Sequence, residues 1–208
     1  MVKVKICGIT NLEDALAAAE LGADMLGFNF YEGSKRYIEL TEAAKIIRDL
    51  NGRVDSFGVF VNADLDTIQR TVEEASLTTV QLHGEETPES VARISETCGV
   101  PVIKTIRVSA DFRPEDVRDF PADSILLDVY SPDAYGGTGE RFDWNIAVAA
   151  KQYTNRLFLA GGLAPENVAE AVELVRPYAV DVASGVESLP GKKDAIKMEA
   201  FIRNARGI

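Results

Sequence analysis

The chain has one histidine, two cysteines and one tryptophan in 208 residues, and it lacks any long apolar run. Each scarcity excludes something. A membrane helix needs roughly 18 or more apolar residues in succession, and no stretch approaches that. Two thiols, Cys7 and Cys98, do not make the disulfide framework of a small secreted protein. A lone histidine, His83, with two distant cysteines gives no Cys/His metal cluster. Positive charge is also short. The chain carries 22 basic against 33 acidic residues, a net charge of −11. That balance argues against a nucleic-acid or anionic-membrane partner, although a local site can be positive in a negative protein. There is no serine-centred nucleophile elbow, and no lysine-Ser/Thr pair follows a glycine loop as a P-loop requires. The opening residues, MVKVKICGIT, carry no apolar stretch ending in a small-residue cleavage site. These features together lead us to expect a protein of a reducing cytoplasm.

What is present is alternation. Short apolar, β-branched runs recur at Val2 to Ile9, Met25 to Phe30, Ser56 to Val61, Thr79 to His83, Val102 to Val108, Ile125 to Val129, Leu157 to Gly161 and Val180 to Ser184. Continuous apolar runs suit parallel strands covered on both faces. Helical patterns lie between them. Asn11 is placed to cap Leu12 to Leu21, Thr41 to cap Glu42 to Leu50, and Asp64 to open Leu65 to Ala75. Thr87-Pro88 precedes Ser90 to Thr97, since proline fits a first helical turn. Pro114 and Pro165 mark further starts. Asp143-Trp144 begins a stretch to Lys151, and Asp194 to Ala205 closes the series. The segment Arg113 to Phe120 is short for a helix.

Eight strand–helix units in 208 residues predict an α/β fold, a single (β/α)8 TIM barrel with a parallel eight-stranded core over residues 1–208. A doubly wound open sheet is the alternative. In a barrel, function sits on the loops after the strands. Cys7, Asn29, Arg36, His83, Arg107, Asp128, Gly161-Gly162 and Ser184-Gly185 all fall at or just beyond strand C-termini.

The residue types carry chemistry, each beside a plainer reading. Glycines after strands seven and eight let backbone N–H groups approach an anion, and those two loops are the usual phosphate site of this fold; glycine also simply allows tight turns. Cys7 can be reactive or a small buried hydrophobe. Asp128 ends an apolar strand, where an acid is costly to bury without a partner, or it caps the next loop. Asp181 is similar, or it is an ion-pair partner inside the barrel. Arg36 lies in the second βα loop beside Lys35 and suits a carboxylate or phosphate, or it belongs to a solvated basic loop. His83 can assist acid–base chemistry or serve as a structural donor. Gly136-Gly137-Thr138-Gly139 reads as a lid or phosphate clamp. Cys98, at a helix end, reads as structural.

With those residues assembled, a resemblance emerges. Val4-Lys5-Ile6-Cys7-Gly8-Ile9-Thr10 resembles the opening of phosphoribosylanthranilate isomerases. So do Gln81-Leu82-His83-Gly84, Leu126-Leu127-Asp128, Gly136-Gly137-Thr138-Gly139, Leu159-Ala160-Gly161-Gly162-Leu163 with Glu166-Asn167-Val168, and Val180 to Glu187. The matches run in order from residue 4 to residue 187. The resemblance implies a cofactor-free, metal-free aldose–ketose isomerase of tryptophan synthesis acting on a small phosphorylated substrate, as a monomer or homodimer. It implies Cys7 as general base and Asp128 as general acid. It puts Arg36 at the anthranilate end, and Gly161, Gly162, Ser184 and Gly185 at the phosphate. His83, Gly137, Gly139 and Asp181 complete the expected substrate contacts. One residue departs from the family pattern: Lys35 stands where a proline often precedes the arginine, which leaves open what stiffens that loop. A related two-aspartate phosphosugar isomerase is the first alternative, opposed by Cys7. A non-catalytic phosphate-binding barrel is the second, opposed by the intact pair Cys7 and Asp128.

Overall fold

The computed structural model describes residues 1–130 and 142–208. Among these, eight parallel strands close into a barrel in chain order. They are β1 (Lys3–Cys7), β2 (Met25–Asn29), β3 (Asp55–Phe60), β4 (Thr79–Leu82), β5 (Val102–Val108), β6 (Ser124–Val129), β7 (Leu157–Leu159) and β8 (Ala179–Val182). β1 pairs with β8 through the register Lys5 to Asp181, which closes the ring. The outer layer holds α1 (Leu12–Glu20), α2 (Leu40–Leu50), α3 (Leu65–Ala75), α4 (Pro88–Cys98), α5 (Trp144–Ala150), α6 (Val168–Val175) and α7 (Ala195–Arg206). The barrel expected from the sequence is the one observed, and the open-sheet alternative falls.

Local chemistry sets the helix starts. The side chains of Asn11, Asp64, Thr87 and Asp194 each accept backbone N–H groups of the first turn, as the cap rule requires. Thr41 does not cap. Helix α2 begins two residues earlier than expected, at Leu40, behind Glu39, which makes no side-chain cap bond. Leu40 packs against the core, so apolar contact rather than a hydroxyl fixes that entry. Pro165 does not open a helix either. It sits in a turn braced by Asn167, whose side chain accepts from the Ala164 N–H and donates to the Gly162 carbonyl, and α6 starts only at Val168. The fifth crossover is a 3-10 segment, Pro114–Asp119. After β8 the chain forms a 3-10 turn at Ser184–Val186 and then a small hairpin, β9 (Glu187–Leu189) with β10 (Lys192–Lys193).

The strands looked uniformly buried in sequence, but their two faces differ. Side chains alternate across a strand. One set packs outward beneath the helices in the main core, including Val4, Ile6, Val80, Leu82, Leu127 and Val182. The other set points into the barrel. Its lower layer is a separate apolar cluster of Met25, Phe57, Ile103, Leu126, Phe158 and Ala179. Above it the same alternation delivers Lys5 then Cys7, Gln81 then His83, Asp128 two residues beyond Leu126, and Asp181. The interior is therefore apolar at the floor and polar toward the strand C-termini.

Candidate active site

The polar interior is built around Lys5. Its side chain is wholly buried, and its Nζ donates to Asp181 Oδ1 at 2.8 Å. It also lies 5.6 Å from the centroid of the Phe57 ring. Two residues further along β1, Cys7 enters the same space. A Cβ on Gly27, the β2 residue beside Cys7, would meet Cys7 Sγ at 2.6 Å and Lys5 Nζ at 3.0 Å. Only glycine leaves room there for thiol and ammonium to converge.

A second cation approaches from the hairpin. Lys193 Nζ donates to the Cys7 carbonyl at 2.5 Å, to the Ala183 carbonyl at 3.2 Å and to Glu187 Oε1 at 3.0 Å. Glu187 also binds Arg36, whose Nε and Nη2 each donate to it at 2.8 Å. Lys5, Lys193 and Arg36 thus face Asp181 and Glu187, three positive groups against two negative. That cluster has room for one further negative charge.

The protonation balance follows from these contacts. Burial pushes the Cys7 thiol up, and the nearby charge of Lys5, its hydrogen bond and Lys193 pull the other way without cancelling it. Burial would lower Lys5, but Asp181 and Cys7 outweigh it and hold the ammonium charged. Burial would raise Glu187, yet the hydrogen bond from Arg36 and the charge of Lys193 keep its carboxyl below the usual range.

Asp128 reaches the mouth from β6. Its Oδ1 accepts the Val129 N–H at 2.8 Å, and its Oδ2 faces His83 Nε2 at 3.3 Å. Across from it, Gly161 and Gly162 both take left-handed backbone angles, φ +83° and +63°. A Cβ on Gly161 would come within 2.9 Å of the Val129 nitrogen, so that loop passes close over β6. Asp128, Gly161, Gly162, Asp181 and Ser184 line one cleft. Gly185 does not line it. A Cβ there would sit 2.0 Å from the Leu163 carbonyl oxygen, so this glycine lets the eighth loop press on the seventh.

The structure brings Cys7, Asp181 and Arg36 into one charged network and sets Asp128 beside His83. Asp181 is an ion-pair partner inside the barrel and a cleft residue at once. Gly137 and Gly139 lie outside the described residues. Lys193, Gly27 and Glu187, the last of which closes the motif from Val180, belong to the site, and their roles rest on neighbours distant in sequence. The second loop, despite Lys35, is braced by hydrogen bonds: Ser34 Oγ accepts from Asn29 Nδ2 at 3.0 Å and from the Arg36 N–H at 3.1 Å, and Ile38 N–H donates to the Asn29 carbonyl at 3.0 Å. Among the described residues no group of His, Cys, Asp and Glu is disposed to hold a metal ion, and no helix is long and apolar enough to cross a membrane.

Known proteins resemble this chain along its whole length. The model of the N-(5'phosphoribosyl)anthranilate (PRA) isomerase family matches residues 4–204. An N-(5'-phosphoribosyl)anthranilate isomerase of Citrifermentans bemidjiense is 52% identical over 208 residues, covering 100% of this chain and 98% of that one. The crystal structure of phosphoribosyl anthranilate isomerase from Thermotoga maritima superposes with a TM-score of 0.91 at 46% identity, covering 100% of both chains. A structure of such an isomerase in complex with reduced 1-(o-carboxyphenylamino)-1-deoxyribulose 5-phosphate gives a TM-score of 0.88 at 45% identity, again over 100% of both. A family match of this extent leaves no part of the barrel unaccounted for, and the chain belongs to the N-(5'-phosphoribosyl)anthranilate isomerase family.

Proposed function

We infer that the chain catalyses the Amadori rearrangement of N-(5'-phosphoribosyl)anthranilate to 1-(2-carboxyphenylamino)-1-deoxyribulose 5-phosphate in L-tryptophan biosynthesis. The observation that carries this reading is a thiol on β1 and a carboxyl on β6 at the same barrel mouth, in a chain that matches the family from residue 4 to residue 204.

The reaction needs one proton given and one taken. Asp128 protonates the ribose ring oxygen. The C1′–O bond breaks, its electrons go to that oxygen, and the anilino nitrogen's lone pair makes the open-chain iminium. Cys7, as thiolate, then removes the proton from C2′. The electron pair left behind forms the C1′–C2′ double bond and neutralises the iminium nitrogen. The resulting enolamine tautomerises to the ketone. Lys5 and Lys193 flank the thiol and favour its charged form, which burial disfavours.

The phosphate is assigned to the cleft of Gly161, Gly162 and Ser184, with Gly185 shaping it from behind. Arg36 is assigned to the anthranilate carboxylate. Two of its donor groups are held by Glu187, and the opposite edge of the fork remains to meet a substrate. The reading takes residues 1–208 as one catalytic unit of the cytoplasm, monomer or homodimer, that uses no cofactor. The test is fluorescence decay of freshly made phosphoribosylanthranilate with purified protein. No acceleration over the uncatalysed decay would leave the phosphate-binding barrel as the better reading.

A further inference from the structure

His83 and Asp128 meet on the inner face of the barrel, and a third residue decides how. Gln81, two positions before His83 on the same inward face, is fully buried. Its Nε2 lies 3.0 Å from His83 Nδ1 and 3.3 Å from Thr105 Oγ1. An amide nitrogen only donates. In this orientation the Nδ1 facing it presents a lone pair, and Gln81 Oε1 is left buried with no partner among the described residues. A neutral imidazole has one N–H, so the proton sits on Nε2. That nitrogen is buried, lies 3.3 Å from Asp128 Oδ2 and makes no hydrogen bond among the described residues.

We propose that Gln81 fixes the tautomer of His83 so that Nε2, the nitrogen on the side of Asp128 Oδ2, carries the proton, and that His83 is a positioning residue for the acid step. The inference rests on Asp128 being the general acid. When Asp128 gives its proton to the ring oxygen, negative charge appears on its carboxylate. Val129 N–H already meets Oδ1. The His83 Nε2–H meets the other oxygen at the moment the charge develops, and keeps its own proton throughout. At 3.3 Å the two atoms are within reach but do not form a directed hydrogen bond in the resting enzyme. It gains most as the acceptor becomes an anion, which makes it a contribution to the transition state rather than to the bound substrate.

His83 is the only histidine, so enzyme labelled with ¹⁵N-histidine reports this ring alone. The expected spectrum at neutral pH is that of a ring protonated at Nε2 with Nδ1 as acceptor. Protonation at Nδ1 would overturn the role given to Gln81. In single-turnover kinetics at saturating substrate, His83→Ala should slow the chemical step by about ten- to a hundredfold, the scale of one donor aimed at developing charge, and change KM little. His83→Gln, whose amide can place an N–H near the same position, should recover most of that loss. A raised KM with an unchanged chemical step would make His83 a substrate contact and sink the proposal. Adding His83→Ala to Asp128→Asn should cost nothing further, because the charge it stabilises no longer forms. If Asp128→Asn alone keeps its rate, the acid assignment itself fails, and the ¹⁵N spectrum still decides the tautomer. Should His83→Ala not fold, His83→Gln and the spectrum carry the test.

Discussion

Arg36 and Glu187 are joined by two hydrogen bonds of 2.8 Å across 151 positions of the chain. The contact ties the second βα loop to the hairpin after β8. It also fixes which edge of the guanidinium remains for a ligand.

Glu187→Gln should therefore act on binding. The variant keeps the shape but loses the charge that orients Arg36 and balances Lys193. Charge-assisted hydrogen bonds contribute roughly 1.5–3 kcal/mol, so KM should rise about tenfold or more with a smaller effect on kcat. An unchanged KM in steady-state assays would show that Arg36 holds its position without Glu187.

Cys7→Ser should nearly abolish turnover and leave binding of a reduced product analogue largely intact. A hydroxyl is a far weaker base than a thiolate near neutral pH. Calorimetric titration with the analogue separates the two effects. A variant that keeps more than about a tenth of kcat, small beside the usual 10²–10⁴-fold contribution of a general base, removes Cys7 from that role.

The same thiol sets a pH dependence. Because burial outweighs the pull of Lys5 and Lys193, its proton is lost above the ordinary thiol value. The base form then grows as pH rises, so kcat should climb from neutral into alkaline solution. Stability runs in the opposite sense. The raised folded value favours the protonated, folded state below the unfolded thiol pKa of about 8.5–9, and that contribution is lost as pH rises through the folded value. Urea unfolding of wild type and Cys7→Ser above that point reads the difference. A wild-type rate that is flat with pH while chemistry limits it would contradict the base assignment.

Asp128→Asn should lower the chemical step by roughly 10²–10⁴-fold, the range for a general acid, with substrate affinity little changed. If Asp128 instead serves only to support its loop, the loss will appear as weaker binding with kcat kept.

Sulfate or phosphate should compete with substrate, with density near the backbone of Gly162 and Ser184 in a soaked crystal. Gly185→Ala should weaken that competition, since its Cβ would lie 2.0 Å from the Leu163 oxygen and the two loops would have to part. Overpacking of this kind typically costs about 1–3 kcal/mol, visible as a lowered Tm. Density only elsewhere on the barrel would move the phosphate site.

The sequence made the barrel legible because its cues are local. Asn11 and Asp64 cap the helices their places predict, and Thr87 and Asp194, which mark only starts in the sequence, cap as well, all within three residues of their own positions. Thr41 and Pro165 misled for a physical reason: packing of Leu40 and the side chain of Asn167 decided those starts. The hairpin Glu187–Leu189 and Lys192–Lys193 escaped notice, being too short for any period to show. In the site, Cys7, Asp128 and Arg36 stood out by type and by their place at strand ends. Their partners did not. Lys193 reaches Cys7 across 186 positions, and Gln81 matters only because Thr105 and His83 flank it in space.

The alternation along the inner strands has one more consequence, for how the chain reaches a single folded form. A strand that slipped by one residue would trade every inward side chain for its outward neighbour. For β1 that exchange would drive Lys5 beneath the helices and turn Ile6 toward the ions. For β8 it would take Asp181 away from Lys5. Stranding either charge of a buried pair costs about 3–5 kcal/mol, a large share of the roughly 5–15 kcal/mol that holds a domain folded. Misregistered barrels are thus disfavoured by the same side chains that flank the Cys7 thiol, and a molecule that reaches the closed ring arrives with Lys5, Cys7 and Asp181 already together.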